Sequence, residues 1–163
     1  MKTKNSKGVT MLEMMIITVV IGITSTLAIP TFDQMMEKAR LKTAGRDLIS
    51  DLRFMRSNAV SQRQQFGIYF DSNSRRYILF KDVANLGAFT YDSGSDSDIM
   101  AKALPRNVNF GSCSFSNFAV IFKPDGSASS SGSIGLSSSV GGSGSFTVDV
   151  LSSTGRVKLI SGS

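Results

Sequence analysis

The chain has 163 residues, with 18 Lys and Arg against 12 Asp and Glu, no histidine, no tryptophan and a single cysteine, Cys113. This length accommodates one anchor segment and one small domain of roughly 100 residues. Without histidine, Ser-His-Asp and Cys-His nucleophilic sites and the commonest zinc sites are excluded, and a lone cysteine excludes an intramolecular disulfide. The composition points away from an enzyme and implies neither a cofactor nor a metal. Lys2, Lys4 and Lys7 supply half of the net +6, and residues 31–65 hold seven basic against four acidic side chains. From Phe66 onward the count is eight against seven, so the basic balance belongs to the leader and stem, not to a nucleic-acid-binding face.

Lys7-Gly8-Val9-Thr10-Met11-Leu12-Glu13 opens an apolar run that reaches Ile29-Pro30, with Glu13 as its only charge. As a helix, residues 9–30 rise about 33 Å, against a bilayer core about 30 Å thick. A carboxylate within such a span costs about 2.5–3.5 kcal/mol. Nothing in the run pairs with it, which points to a partner on another chain. The leader lysines keep the N-terminus cytoplasmic and put the body on the far side of the membrane. Two plainer readings stand beside this one. A secretory signal peptide would use Thr26-Leu27-Ala28 as its cleavage site but has a shorter apolar core. An ordinary single-pass anchor explains the span but neither Gly8 nor Glu13.

Gly8-Val9-Thr10-Met11-Leu12-Glu13 resembles the signal of type IV pilins and type II secretion pseudopilins, in which a short basic leader ends in glycine and glutamate is the fifth residue after the cut. Phenylalanine is usual where Val9 stands. The resemblance implies that a prepilin peptidase cuts after Gly8 and methylates the new N-terminus at Val9. It implies assembly roles for Glu13 and for Pro30, which matches the proline that kinks pilin helices. The implied partners are other pilins or pseudopilins, the prepilin peptidase, an inner-membrane assembly platform and membrane lipid. The implied location is the bacterial inner membrane, single-pass with a periplasmic C-terminal domain, and then a pilus or pseudopilus.

From Thr31 to about Gln65 the pattern predicts a continued, amphipathic helix. Leu41, Leu48, Leu52, Met55 and Ala59 fall on one stripe, while Arg46, Arg53, Arg56 and Arg63 fall largely on solvated faces. Asp47 and Asp51 are placed to pair locally with the arginines that follow. Leu52-Arg53-Phe54-Met55-Arg56-Ser57-Asn58-Ala59 with Gln62-Arg63 is similar to the helix of the GspH/FimT family, whose members are minor pseudopilins or minor pilins with a helix packed on a β-rich domain.

Phe66–Phe70 alternates, Asp71-Ser72-Asn73-Ser74 has turn chemistry and Arg75–Phe80 supplies a second strand, predicting a hairpin laid on the helix stripe. Val83–Leu104 reads as a polar irregular loop. A calcium site at Asp92, Asp96 and Asp98 is weighed against a plain surface loop, and the spacing lacks the EF-hand pattern. Further strands are predicted at Asn107–Phe110 and Phe115–Phe122, the latter with Phe118, Val120 and Phe122 on one face. Lys123-Pro124-Asp125-Gly126 is a turn. Residues 127–145, mostly Ser and Gly, read as a flexible loop around a short strand at Ile134–Leu136. A closing hairpin follows, Phe146–Leu151 and Arg156–Ile160, in which Gly155-Arg156-Val157 resembles the start of the family's C-terminal strand.

The expected architecture is α+β: a leader over 1–8, a transmembrane helix over 9–30, an amphipathic stem over 31–65, and a small antiparallel β domain over 66–163. The expected function is that of a minor pilin or pseudopilin subunit, structural and not catalytic. An alternative comes from FimT-like proteins that take part in DNA uptake. For direct DNA binding the basic pairs available are Arg75-Arg76 and Arg156 with Lys158, the latter two on one strand face. Cys113 reads as a small buried residue or a free thiol, with a dimer crosslink as the minor alternative.

Overall fold

The computed structural model describes the backbone of residues 8–140 and 144–162, and the side chains of the same residues except 26–31 and 161–162. One helix, α1 (Met11–Gln62), is followed by eight strands among the described residues: β1 (Gln65–Asp71), β2 (Arg76–Asp82), β3 (Ser97–Ala103), β4 (Val108–Cys113), β5 (Ala119–Phe122), β6 (Gly132–Ser138), β7 (Ser145–Leu151) and β8 (Arg156–Gly162). They form two antiparallel four-stranded sheets, ordered β3-β2-β1-β5 and β4-β6-β7-β8. The C-terminal half of α1 touches strands of both sheets.

The helix stripe lies where its 3.6-residue period puts it. Leu41, Leu48, Leu52, Met55 and Ala59 are fully buried and join Phe66, Ile68 and Phe70 of β1 and Ile134 and Leu136 of β6 in one apolar core. Each buried Leu or Ile contributes about 1.5–3 kcal/mol of apolar transfer free energy. The N-terminal half of α1 is the opposite case, with Met11, Leu12, Met15, Ile16 and Val20 all exposed, as is Val9 just before the helix. Among the described residues no helix is long and apolar enough to cross a membrane. The described side chains of the apolar run stop at Ser25 and resume at Phe32, and Pro30 lies outside them.

Two readings of the β region are corrected and one is extended. Val83–Leu104 is not wholly irregular, because Ser97–Ala103 forms edge strand β3 on β2, with a bulge between Leu79 and Phe80. Almost every β3 side chain is exposed, so the apolar-polar alternation that marks a half-buried strand is missing. Residues 132–138 are an inner strand paired on both sides, with Ile134 and Leu136 fully buried. The short strand expected at Ile134–Leu136 thus forms, and it runs on into Ser and Gly neighbours that read as loop. Phe115–Phe122 is broken by a 3-10 turn over Ser116–Phe118, where Asn117 and Phe118 take left-handed φ of 55° and 52°. Phe118 is therefore exposed, while Val120 and Phe122 are fully buried.

Candidate functional site

At the N-terminal end, Thr10 caps α1, its backbone extended and its Oγ1 accepting a hydrogen bond from the Glu13 amide at 3.2 Å. This is one half of a Thr-x-x-Glu capping box, and it puts Glu13 in the first turn, where the helix dipole favours an anion. Gly8 and Val9 precede the cap and are exposed. The ion pairs among the described residues are Arg40–Glu37, Arg76–Asp71 and Lys102–Asp51, so Glu13 has no ionic partner within the described chain.

At the other end of the helix a second arrangement is built from three elements. The Lys123–Gly126 turn closes with the Gly126 amide donating to the Lys123 carbonyl at 2.9 Å, and Gly126 takes a φ of 82°. Asp125 Oδ1 accepts from the Ser127 amide and hydroxyl at 2.8 and 2.6 Å, and these bonds hold its carboxyl below the usual range. Arg56 of α1 donates through Nε to the Gly126 carbonyl at 2.9 Å. Gly155, in the β7–β8 turn at φ 60°, lies against both. Arg56 is thus a tie between helix and β domain, where a solvated face was expected. Arg53, Arg56 and Arg156 line one surface groove with Ser57, Val60 and Ser61.

Arg156 and Lys158 are exposed while Val157 between them is buried, so the two basic side chains share the outer face of β8. Arg75 ends the β1–β2 turn and Arg76 opens β2 in the other sheet, where it is paired with Asp71 at 3.3 Å. The two basic pairs therefore belong to different sheets.

Two further constellations lacked a local sequence signal. Asp51, buried in α1, accepts from Lys102 Nζ at 2.7 and 2.8 Å and from Tyr77 Oη at 2.7 Å, instead of pairing with the arginines that follow it. Burial, and then the Asp51 carboxylate, push the Tyr77 phenol far above its usual range. In the β2–β3 loop, Asp96 Oδ1 accepts from the Val83 and Ala84 amides and its Oδ2 from the Asp92 amide, at 2.8–3.0 Å. Asp92 accepts from Asn85 and Asp98 from Tyr91. These acids fasten the loop, and among the described residues no three His, Cys, Asp or Glu side chains converge to hold a metal. Cys113 is a half-buried free cysteine in β4, its thiol pushed up by burial.

The family model for the type II transport protein GspH matches residues 44–155, more than half of the chain. Among solved structures, the minor pseudopilin EpsH from the type 2 secretion system of Vibrio cholerae aligns with a TM-score of 0.59 at 12% identity, over 75% of this chain and 97% of that one. The type IV minor pilin FimU of Pseudomonas aeruginosa aligns with a TM-score of 0.60 at 16% identity, over 77% and 92%. At these identities the alignments show a shared fold. No curated protein matches the chain by sequence. The helix-on-two-sheets fold and the match from Ala44 through Gly155 together place this chain in the GspH family, as a GspH/FimT-like minor pilin.

Proposed function

We propose that this chain is inserted in the bacterial inner membrane, processed between Gly8 and Val9, and assembled as a minor subunit into a type II secretion pseudopilus or a type IV pilus. The observation that carries the proposal is the exposed apolar half of α1. Its large side chains have no cover within the described chain, and the exposed Glu13 among them has no counter-ion. A family of structural filament subunits supplies the cover: lipid first, helices of neighbouring subunits afterwards. Residues 9–30 are the proposed span, on the strength of their apolar sequence. Cleavage after Gly8 by a prepilin peptidase creates an amine at Val9, which is then methylated but still cationic. That amine, in the same chain or a neighbour, pairs with the Glu13 carboxylate once both leave water. In a low-dielectric core an unpaired Glu13 is costly and a paired one fixes axial register. Pro30 is proposed to bend the helix where it leaves the membrane, and the inner-membrane platform to extract the subunit into the filament. A Glu13→Leu variant should insert normally yet be missing from sheared filaments, and its normal incorporation would overturn the pairing.

A second reading, direct DNA binding, is favoured by one specific observation: Arg156 of β8 lines the same groove as Arg53 and Arg56 of α1, with Lys158 next along the strand face. Clustered cations suit successive phosphates, and binding through them weakens as salt rises. Arg75 and Arg76 would be a separate, weaker contact. A DNA mobility shift lost on Arg156→Ala and at raised salt supports this reading. A shift indifferent to both removes it.

A further inference from the structure

The sheet β3-β2-β1-β5 has a second face, turned away from α1. Phe66, Ile68 and Phe70 of β1 belong to the core against the helix, so strand alternation and the β1–β2 register put Tyr69, Ile78 and Phe80 on the other side. Phe80 is nevertheless fully buried. Its cover comes from the β2–β3 loop, where the Tyr91 ring lies 4.9 Å from that of Phe80 and stacks at 4.9 Å on Tyr69.

Carboxylates fasten this loop. Asp96 holds the Val83, Ala84 and Asp92 amides, Asp92 holds Asn85, and Asp98 of β3 holds the Tyr91 hydroxyl. Lys123 adds a cation–π contact, its Nζ 5.1 Å from the centre of the Phe89 ring. Asn85 and Phe89 sit at left-handed φ of 31° and 51°, conformations that persist only while surrounding contacts hold them.

Asp82 immediately precedes the loop and shares the outer face of β2 with Phe80. It is 2% exposed, and neither of its carboxylate oxygens has a hydrogen-bond partner among the described residues. Across the ladder stands Gln65, which is uncharged. Arg63 at the end of α1 and Lys81 of β2 line the adjoining surface pocket, and neither forms an ion pair among the described residues. Burial, then Asp96 and Asp92, raise the Asp82 carboxyl to about 6. Its ionisation therefore puts an unsolvated negative charge near the two carboxylates that hold the loop. A loop that lifts admits water to Asp82, so the charged form favours the lifted state.

We propose that the β2–β3 loop, residues 83–96, is a pH-dependent lid over the outer face of the β1–β2 hairpin, held shut while Asp82 is protonated and loosened when Asp82 ionises. A raised carboxyl sets the sense. The contribution to closure is fully present below about pH 4 and is lost as pH rises through about 6. Acid thus keeps Phe80 and Tyr69 covered, and neutral conditions make them easier to uncover. The lid depends on neither the assembly reading nor the DNA reading.

The test is amide hydrogen exchange on the full chain, isotope-labelled and held in detergent, from pH 4 to pH 8. Corrected for intrinsic exchange rates, the opening constants of the Val83, Ala84 and Asp92 amides should rise about 50-fold between pH 4 and pH 7 and level off above that. At pH 7 they should exceed those of the β7 amides by about tenfold or more, because the lid lifts without unfolding the domain. In Asp82→Asn the rise should vanish. A flat profile in the unaltered chain would overturn the proposal, as would a rise that survives Asp82→Asn. Equal opening constants in the loop and β7 would overturn it too, since only global unfolding would then be seen. Should the variant not fold, the carboxyl carbon signal of Asp82 in the unaltered chain replaces it. A midpoint near 6 is expected there, and one near 4 would overturn the lid.

Discussion

A side chain on Gly155 would place its Cβ 2.2 Å from the carbonyl oxygen of Gly126 and 2.8 Å from Arg56 Nε. Two turns from different hairpins and the helix stem meet at this point, and the positive φ of Gly155 adds a backbone reason for glycine. Gly155→Ala should therefore lower stability by about 2–4 kcal/mol. Thermal denaturation should show the drop, and an unchanged midpoint would mean that the turns do not dock.

Removing one member of the Asp51 cluster should also be felt. Lys102→Met leaves a nearly buried carboxylate with Tyr77 as its remaining partner, and Tyr77→Phe removes a bond of 2.7 Å. Each should cost about 1–2 kcal/mol. Since both act on one carboxylate, the double variant should depart from additivity by more than about 0.5 kcal/mol in denaturant unfolding.

Asp82 makes stability depend on pH in a direction opposite to that of most carboxylates. Its folded-state value is raised to about 6 from 3.8, so the folded protein keeps this proton while the unfolded chain has lost it. The contribution is fully present below about pH 4 and is lost as pH rises through 6, on the order of 1–3 kcal/mol. Asp71 and Asp125, both lowered, act in the other sense and below that window. Asp82→Asn should flatten the decline between pH 4 and 6.5 and stabilise the protein at pH 7, as read from urea midpoints across pH.

The Ser/Gly-rich segment gives a sharper contrast. As a short unpacked strand within a flexible loop it would tolerate Leu136→Ala with a change near zero. As the inner strand β6, with Leu136 fully buried, it should lose about 2–5 kcal/mol.

What the sequence made legible, and what it did not, follows from how far apart the cooperating residues lie. The Leu41-to-Ala59 stripe, the β1–β2 hairpin and the Lys123–Gly126 turn are encoded by local periodicity and turn residues, and all three form. Edge strand β3 buries neither face and so carries no alternation. The inner strand β6 was legible only at its two large apolar residues, Ile134 and Leu136, because its Ser and Gly flanks have a loop's composition. Asp51 with Lys102 and Arg56 with Gly126 are joined only by the fold, since nothing local announces a partner 51 or 70 positions away. Of the basic candidates, alternation correctly put Arg156 and Lys158 on one face, and the fold added Arg53 and Arg56 beside Arg156. The proposed processing residues Gly8 and Val9 and the proposed assembly residue Glu13 rest on the sequence motif and on their exposure.

The most direct test of the central proposal is the intact mass and N-terminal sequence of the protein recovered from membranes with and without prepilin peptidase. A chain beginning at methylated Val9, seen only when the peptidase is present, is the predicted result and makes the Glu13 pairing the next step to probe. A chain beginning at Met1 in both strains would contradict it and leave a plain anchor. A start near Ile29 would contradict it too, because the apolar half of α1 would then never reach a filament.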